Sequence, residues 1–484
     1  MERGEAEAIY EQGRDAVVSV LLALSVQNER REAQVERLTA RVARQDERIA
    51  TLERQLGRSS RNSSQPPSAD PPSSPPRRGK DPSGRKQGGQ PGHEGKGRPL
   101  LPAWAVDEVV EHWPSGCECG HVFAEPERVA VGDPARHQVE ELPVMVVHVT
   151  EHLCQRVRCP DCGKRLRGQL PAGVGASAFG PRFHAAVAVL STRNRVSRRD
   201  VVELCEQLFG SRISTGTVDA ILGRVGDALT DPYDDLLERV RAAKSVNMDE
   251  TGWRTAGQRR ALWGAFTDRH GVLVVAPDRH ERHAKDLLGD TAAIVTSDRW
   301  WAYAHLPVAR RQVCWAHLQR DFAAQADGMA AEKAFGKAGL EICEQLFWAW
   351  EIFQHTGDRR DLKLAIRALR RDLKPILRTY AGKAPRYRYT RGIARNLLKV
   401  WPALWTFADH RGVEPTNNHA ERALRGAVIY RKLSLGSQSA GGEQRIARLL
   451  SAHTTCRLQH RSLHAYLIDV LTANAAGQPA PLLA

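Results

Sequence analysis

The chain has 484 residues, too many for one hydrophobic core, so its length predicts roughly three or more folded units. Its 71 Lys and Arg outnumber 56 Asp and Glu, and the formal charge of +15 favours a polyanionic partner such as nucleic acid. No segment approaches the roughly 20 apolar residues of a membrane span, and no signal peptide is recognisable. Nine scattered cysteines argue against a disulfide framework, so a cytoplasmic protein is predicted.

Residues 1–58 follow a heptad pattern in which nine of twelve a and d positions are apolar. Asn28 occupies an a position, where a polar residue fixes register and strand number. We therefore favour a coiled coil that joins two or more copies of the chain over a single helix packed on its own protein. The a and d positions are Val17, Leu21, Leu24, Asn28, Arg31, Val35, Leu38, Val42, Gln45, Ile49, Leu52 and Leu56.

Residues 59–101 are dominated by Pro, Ser and Gly and carry an excess of Arg and Lys. This composition cannot bury enough apolar surface to offset the entropy of ordering, so a disordered or extended linker is predicted. Its basic second half either serves as a solvated tether or follows a phosphate backbone without reading its sequence.

Residues 102–172 carry two close pairs of cysteines, separated by a stretch with strand-like alternation at 137–149. Four thiolates converging on one ion form a structural zinc site, so a small β-rich zinc module is predicted; free thiols in a small β-domain are the alternative. The predicted zinc ligands are Cys117, Cys119, Cys159 and Cys162. The spacing of the first pair is unusually tight, and three side chains could replace one of these ligands: His121, His152 and Cys154.

Residues 173–243 are predicted to be helical. From Val196 the pattern indicates a helix, a turn at Gly210 and a second helix capped by Ser214. This is the layout of a helix-turn-helix DNA-binding motif, but two packed helices of any helical domain produce the same pattern.

Residues 244–484 have the periodicity of an α/β domain, with three antiparallel strands, a helix, a fourth strand and a fifth strand running into a helix. We take the order to be βββαβαβ, with a helix between the fourth and fifth strands, which is typical of a ribonuclease-H-like fold. A helical insertion is expected at about 323–410, and a helical tail at the C-terminus. The predicted segments are 245–253, 261–268, 271–277, 281–289, 292–303 and 310–322.

Two of these strands are predicted to end in an acid, the first in Asp249 and the fourth in Asp298. Carboxylates on adjacent parallel strands repel each other and need a counter-charge. Two divalent ions, about 3.5–4 Å apart, supply it and activate an oxygen for attack on a phosphodiester. Oxygen ligands favour Mg²⁺ or Mn²⁺. Glu250 rivals Asp249, but strand alternation points it to the opposite face.

A third carboxylate is expected from a helix after the insertion, where Glu421 stands. Glu421 also has a local interpretation, because Asn418 three residues earlier makes a near-match to a capping box. Glu421 and Arg425 have the spacing of a surface ion pair on a helix. Because the two aspartates need a third acid, we favour Glu421 as a metal ligand, with Asn418 capping the helix alone.

Part of the insertion interleaves cations with aromatic residues, as a DNA-contacting surface does. A solvated helical face with a tyrosine-anchored loop explains the pattern equally well. The residues concerned are Arg386, Tyr387, Arg388, Tyr389 and Arg391.

Five groups of motifs in this order resemble the IS66 family of bacterial insertion-sequence transposases, over nearly the whole chain. They are RNSSQPPSAD with GGQPGHEGKGRPL, the cysteine pairs, MDETGW, SDRWWAY with CWAHLQRDF, and EPTNNHAERALRGAVIYRKLSLGSQSAGGE. The resemblance implies a DDE (Asp-Asp-Glu) transposase whose catalytic acids are Asp249, Asp298 and Glu421. Family members commonly travel with small accessory proteins.

Such an enzyme hydrolyses a phosphodiester at each end of its element and joins the freed 3′-hydroxyl to target DNA. The coiled coil would pair two protomers, and the zinc module and helix-turn-helix would recognise the element ends. Residues expected to support the metal ligands or to contact phosphate are His317, Asn417, Asn418, Arg422 and Arg425.

Two other functions fit the same sequence. One is a DNA-binding regulator with an inert α/β domain, which binds DNA without breaking it. The other is a structure-specific nuclease on the ribonuclease-H-like fold, which hydrolyses DNA and never joins it.

Overall fold

A computed structural model of the chain describes residues 3–56, 99–175, 177–328 and 330–484. The predicted linker therefore lies almost wholly outside the described residues. The helices are Arg3–Glu11 (α1), Arg14–Leu56 (α2), Pro181–Thr192 (α3), Arg198–Phe209 (α4), Thr215–Ala228 (α5), Thr230–Arg241 (α6), Glu281–Leu288 (α7), Trp315–Ala326 (α8), Ala330–Thr356 (α9), Arg359–Tyr380 (α10), Arg391–Lys399 (α11), Thr406–Asp409 (α12), Asn418–Ser434 (α13), Ala440–Leu458 (α14) and Leu463–Ala475 (α15).

The strands form a small hairpin and a five-stranded mixed sheet with the order β5-β4-β3-β6-β7. In the larger sheet, β3, β4 and β5 are antiparallel neighbours, whereas β3, β6 and β7 are parallel neighbours. The strands are Arg156–Arg158 (β1), Arg165–Arg167 (β2), Ser245–Thr255 (β3), Gln258–Phe266 (β4), Gly271–Ala276 (β5), Ile294–Ser297 (β6) and Arg311–Val313 (β7). The predicted antiparallel meander and the parallel fourth strand are confirmed.

The predicted helix between the fourth and fifth strands is wrong. Two single-turn 3-10 helices, Trp301–Tyr303 and Val308–Arg310, occupy that connection instead. The fourth strand is also shorter than its apolar pattern indicates. It ends at Ser297 because the carboxylate of Asp298 accepts a hydrogen bond from the Trp300 amide at 2.8 Å and turns the chain.

Both faces of the sheet are covered by helices, so successive side chains of β3 enter two different cores. Val246 and Met248 lie in a core with α3–α6, α14 and α15. Trp253, on the alternate face, packs in a second core with α13 and α14. A third core joins β7 to helices α8–α12. The chain is thus a mixed helix-and-sheet protein, and period-two alternation divides β3 between two apolar layers.

The two helices and the turn predicted from Val196 onward are present as α4, Gly210 and α5. Gly210 adopts a left-handed conformation with φ of 66°, and the Ser214 hydroxyl accepts a hydrogen bond from the Thr217 amide at 3.1 Å. Helix α5 is enclosed by α3, α4, α14 and α15, so its Val218, Ile221, Leu222 and Val225 are buried. A recognition role for α5 therefore depends on its exposed first turn, and DNA binding by this motif stays a prediction.

Helix α2 runs for 43 residues and exposes the apolar positions of the heptad pattern. Leu21, Val35 and Leu38 each expose more than half of their surface in the single chain. No described helix is long and apolar enough to cross a bilayer. A seam of this length is available for pairing, and the coiled coil stays a prediction.

The cysteine-bearing region, residues 99–175, contains only the hairpin β1–β2 and two short 3-10 turns as regular structure. The predicted strand at 137–149 is wrong, because this stretch is irregular and exposes Val139, Val144 and Val149. Alternation produces a strand only where a neighbouring strand and an apolar layer accept it, and none of the described residues supplies these here.

Candidate active site

Asp249 lies inside β3, so the prediction that this strand ends at Asp249 is wrong. Strand β4 pairs with β3 from Asn247 to Thr255, which extends the strand. The parallel pairing with β6 stops at Asn247. Asp249 therefore stands just past the point where its parallel neighbour ends, and this edge of β3 is open beside it.

Asp298 follows the last residue of β6 directly, as predicted. Its carboxylate is held by the Trp300 amide at 2.8 Å, and its backbone carbonyl accepts a hydrogen bond from Arg311 at 2.8 Å. Strands β3 and β6 are adjacent and parallel, so the two aspartates emerge at the same end of the sheet.

Glu421 lies in the first turn of α13, a position where the helix dipole favours a carboxylate. The capping-box interpretation is wrong: the N-cap is Asn417, no side chain caps this helix, and Asn418 is its first residue. The predicted pair with Arg425 is also absent, because the Glu421 carboxylate accepts a hydrogen bond from Arg320 of α8 at 3.2 Å.

Asn417 joins the elements that carry the acids. Its side-chain amide donates to the Met248 carbonyl at 2.7 Å and its side-chain oxygen accepts from Asn247 at 3.1 Å. Its backbone amide donates to the sulfur of Cys314 at 3.1 Å. Asn417 is almost fully buried, so these contacts hold the start of α13 against β3 beside Asp249 and against the β7–α8 junction.

The carboxylates are close enough to repel one another. Burial raises the pKa of Asp249 well above its ordinary value, and the charges of Glu250, Asp298 and Glu421 raise it further. Burial also raises the pKa of Asp298, opposed by the Trp300 hydrogen bond and the Arg311 charge. We call the side chains of Asp249, Glu250, Asp298 and Glu421 the acid cluster. The fold brings them together from two strands and a helix.

Glu250 lies on the opposite face of β3 from Asp249, as strand alternation predicts. Its carboxylate accepts a hydrogen bond from the Tyr303 hydroxyl at 2.6 Å. Burial and the charge of Asp298 nevertheless raise the pKa of Glu250. Glu250 therefore contributes to the negative field of the cluster, and Tyr303 anchors it.

His317, on α8, is a buried neutral imidazole beside Glu421. Burial lowers its pKa to about 4, assisted by the charges of Arg320 and Arg299. Its Nδ1 atom is 3.8 Å from the Glu421 carboxylate, too far for a hydrogen bond, and has no partner among the described residues. Arg320 donates to His317 Nε2 at 3.3 Å, so the neutral ring carries its proton on Nδ1 and can donate it towards a group bound between His317 and Glu421.

Three contributors were missed from the sequence: Arg320, Tyr303 and Asn247. Arg320 follows His317 by three residues and so shares its helix face, a signal that was available. Asn247 precedes Asp249 by two residues and so shares its strand face. Nothing local marks Tyr303 as a partner of Glu250. Arg422 and Arg425 are exposed on α13.

The donor chemistry of the acid cluster fits hard divalent cations, because buried carboxylates that repel each other need positive charge. Across the described ranges, however, no three His, Cys, Asp or Glu side chains are arranged as a ready-made metal site. Glu421 is engaged by Arg320 instead. Binding of metal at all three acids therefore requires the Glu421 carboxylate to release the Arg320 guanidinium and bind the metal ion in its place.

The predicted zinc ligands form two similar turns. In each, the backbone amide of the second cysteine hydrogen-bonds the sulfur of the first, which lowers the pKa of Cys117 and of Cys159. Each turn has a glycine with positive φ, Gly120 or Gly163. The described structure does not converge the two pairs on one point. His121, one of the three side chains that could replace a cysteine ligand, is hydrogen-bonded to the Glu127 carboxylate at 3.1 Å. The turns are suited to a metal, and the zinc site stays a prediction.

Comparisons with known proteins identify the family. Residues 176–445, more than half of the chain, match the family described as "Transposase IS66 family". Residues 23–99 match a "Family of unknown function (DUF6444)".

Three curated relatives, all from Sinorhizobium fredii (strain NBRC 101917 / NGR234), are uncharacterized proteins. The protein y4hP is 26% identical over 424 residues, 79% of this chain and 75% of that protein. The proteins y4jD and y4qI are each 26% identical over 56% of this chain, covering 58% and 55% of their own lengths. The family match extends over the sheet, the helix-turn-helix and α13, so the chain belongs to the IS66 family of transposases.

Proposed function

We propose that this protein is a DDE transposase that hydrolyses phosphodiesters at the ends of its element and transfers the freed 3′-hydroxyls to target DNA. Asp249, Asp298 and Glu421 would hold two Mg²⁺ or Mn²⁺ ions. The observation that carries the proposal is the acid cluster itself. Asp249 and Asp298 are largely buried, and the charges of Asp298 and of Glu421, the latter more than a hundred residues away in sequence, act on Asp249; this arrangement costs stability.

The sheet supports the same conclusion. Its order, β5-β4-β3-β6-β7, with three antiparallel strands and two parallel ones, supports the ribonuclease-H-like fold that the proposal assumes. The first acid on the central strand and the second after its parallel neighbour agree with the geometry that the sequence predicts for a two-ion site. Bound divalent ions would supply the charge that activates the attacking oxygen and stabilises the leaving oxygen.

The chain's own residues would do the remaining work. Asn417 positions α13, and with it Glu421, against the strand of Asp249. Arg320 neutralises Glu421 in the absence of metal. Once an ion takes its place beside Glu421, Arg320 would be free to contact phosphate. His317, neutral at physiological pH, is placed to donate a proton to a group beside Glu421.

The other regions would handle the DNA and the assembly. The heptad seam of α2 would pair two protomers so that both element ends are held before cleavage. The cysteine turns would close around zinc, and this module and the α4–α5 motif would contribute to end recognition. Small accessory proteins of the same element are possible partners.

The test uses the full-length protein, Mg²⁺, labelled DNA carrying the terminal inverted repeats that flank this gene, and a target plasmid. The parent chain should cut the ends and join them to the plasmid. Asp298→Asn should lower both reactions by at least about a thousand-fold. Asp290→Asn, an exposed acid outside the cluster, should leave both unchanged.

The same assay separates the alternatives. Cutting without joining indicates the nuclease. Sequence-specific binding without any strand breakage, equal in parent and Asp298→Asn, indicates the regulator.

A further inference from the structure

A basic groove of about 680 Å³ lies beside the acid cluster, between the β3–β4 hairpin, the loop after β5 and the C-terminal half of α13. Trp253 forms part of its wall, and Asp278 is the acid in its lining. Six cationic side chains line it: Arg254, Arg259, Arg260, Arg279, Arg431 and Lys432.

Two of these cations oppose each other across the hairpin. Arg254 of β3 and Arg259 of β4 are directly paired in the strand register. Both are exposed, and neither side chain makes a hydrogen bond or ion pair with the described part of the chain. Like charges directly opposite on neighbouring strands are destabilising, so this pair is unfavourable unless an anion lies against it.

A second pair of like charges lies deeper in the groove. The guanidinium of Arg431 donates to the Gly252 carbonyl and to the Thr251 hydroxyl, the latter at 3.1 Å. Burial lowers the pKa of Arg431, and the nearby charge of Arg279 lowers it further. Arg431 is thus fixed to the backbone of β3 while facing another cation.

The acids near the groove lie beside Arg260 and helix α7, not beside the two pairs of like charges. Asp278 is bonded to Arg282 and lies 3.0 Å from His283, both on α7. Glu443 of α14 lies 3.4 Å from Arg260 and accepts a hydrogen bond from Thr255. Positive charge therefore remains at Arg254, Arg259, Arg279 and Arg431.

The groove leads away from the acid cluster. Arg254 follows Glu250, the member of the acid cluster on its own face of β3, by four residues of strand, about 13 Å at 3.3–3.4 Å per residue. Arg431 follows Glu421 by ten residues of helix, about 15 Å at 1.5 Å per residue. At the near end, Gly252, which lines the groove, follows Glu250 by two residues of β3. Measured along the axis of B-DNA, about 13–15 Å spans roughly four phosphates of one strand at 3.4 Å per base pair.

We infer that this basic groove binds the phosphate backbone of the element end, on the flank of the phosphodiester held at the acid cluster. The inference rests on the proposed function and deepens it. The element end occupies the acids in both steps of the reaction, whereas target DNA occupies them only in the second. A groove that adjoins the acids and is fixed to the same strand and helix therefore serves the element end first.

The test measures binding by full-length protein to a fluorescent 40-base-pair duplex carrying a terminal inverted repeat, between 50 and 300 mM KCl. The test variant combines Arg254→Gln, Arg259→Gln and Arg279→Gln. A matched control removes three exposed arginines of α10 with Arg360→Gln, Arg367→Gln and Arg378→Gln. A charge-keeping variant carries Lys at the three groove positions, and thermal unfolding checks that each variant folds.

The groove variant should bind about a hundred-fold more weakly at 0.1 M salt, and the slope of log K against log salt should fall by about three. The lysine variant should recover most of the slope, and the α10 control should keep it. Equal losses in the groove and α10 variants, or no loss in the groove variant, overturn the inference.

A second arm separates element end from target. With end complexes preformed at saturating DNA, capture of a labelled target plasmid should be the same for parent and groove variant. Reduced target capture with unchanged end binding would assign the groove to target DNA and overturn the inference. Asp298→Asn should bind the duplex as the parent does. If the parent fails to cut DNA while the groove variant still loses binding, the proposed function is wrong, but the assignment of the groove as a DNA-binding surface is kept.

Discussion

The acid cluster and the cysteine pairs are both sets of predicted metal ligands far apart in sequence, and the fold assembles only the first of them. Two strands and a helix carry the three predicted ligands Asp249, Asp298 and Glu421, and the apolar faces of these elements are buried in shared cores. The cysteines stand on two separate turns in a region whose residues are exposed or only half-buried. Hydrophobic burial assembles the first set against its own electrostatic repulsion, whereas nothing in the second region draws the turns together.

This difference has a thermodynamic meaning. In a sheet with cores on both faces, the burial of apolar surface offsets the repulsion between like charges. The fold itself therefore forms the acid site, and metal would complete it. A region without a buried core needs metal binding as part of its folding free energy. The predictions below test that contrast.

Loss of the third acid should have the largest effect. Glu421→Gln keeps the size of the side chain and its place in α13, but removes a charged ligand. Cutting of element ends should fall by at least about a thousand-fold, with the melting temperature unchanged within a few degrees. Gel assays and calorimetry measure the two quantities, and activity within tenfold of the parent would remove Glu421 from the catalytic set.

Zinc removal should affect the cysteine region alone. Purified protein should contain about one zinc ion per chain, and a chelator should raise hydrogen exchange across residues 115–168 but not across β3–β7. Cys162→Ser should lose the metal, while His152→Ala should keep it. Absence of zinc in the purified protein would contradict the site, and loss of protection in β3–β7 would contradict the contrast between the two regions.

Asn417→Ala should destabilise the protein by about 2–4 kcal/mol, because it leaves the buried Met248 carbonyl and the Asn247 amide without their partner. Activity should fall as well, since α13 is no longer fixed beside Asp249. Asn418→Ala, one residue later and partly exposed, should cost less than about 1 kcal/mol. Denaturant unfolding measures both, and equal costs would show that Asn417 does not position the helix.

Asp249→Asn should stabilise the metal-free protein while abolishing activity. The pKa of Asp249 is raised in the folded state, so the parent is penalised only where the carboxylate is ionised. The stability gain should therefore be absent near pH 3 and should grow as pH rises from about 4 through the raised pKa. Each kcal/mol relieved corresponds to about 2–4 °C. Melting curves without divalent ions test this, and a variant less stable than the parent at pH 8 would contradict it.

The sequence was sufficient to predict much of the local structure. The turn at Gly210, the Ser214 cap, the meander of β3–β5 and the position of Asp298 after β6 all follow from short-range patterns. The failures share a cause. The strand predicted at 137–149, the end of β3 at Asp249 and the capping role of Asn418 all depended on which neighbours were present, and periodicity does not report neighbours.

By itself, therefore, the sequence determined the order of the strands in the sheet domain, the basic charge and which acids to expect at the candidate site. Only the tertiary structure decided that Glu421 faces Arg320 and that Asn417 ties α13 to β3. It also decided that Arg431 donates to the Gly252 carbonyl and so fixes the C-terminal half of α13 against β3. Local propensity acts over a few residues through backbone geometry and capping. Contacts between residues 100 to 180 positions apart arise only when several apolar faces are buried at once.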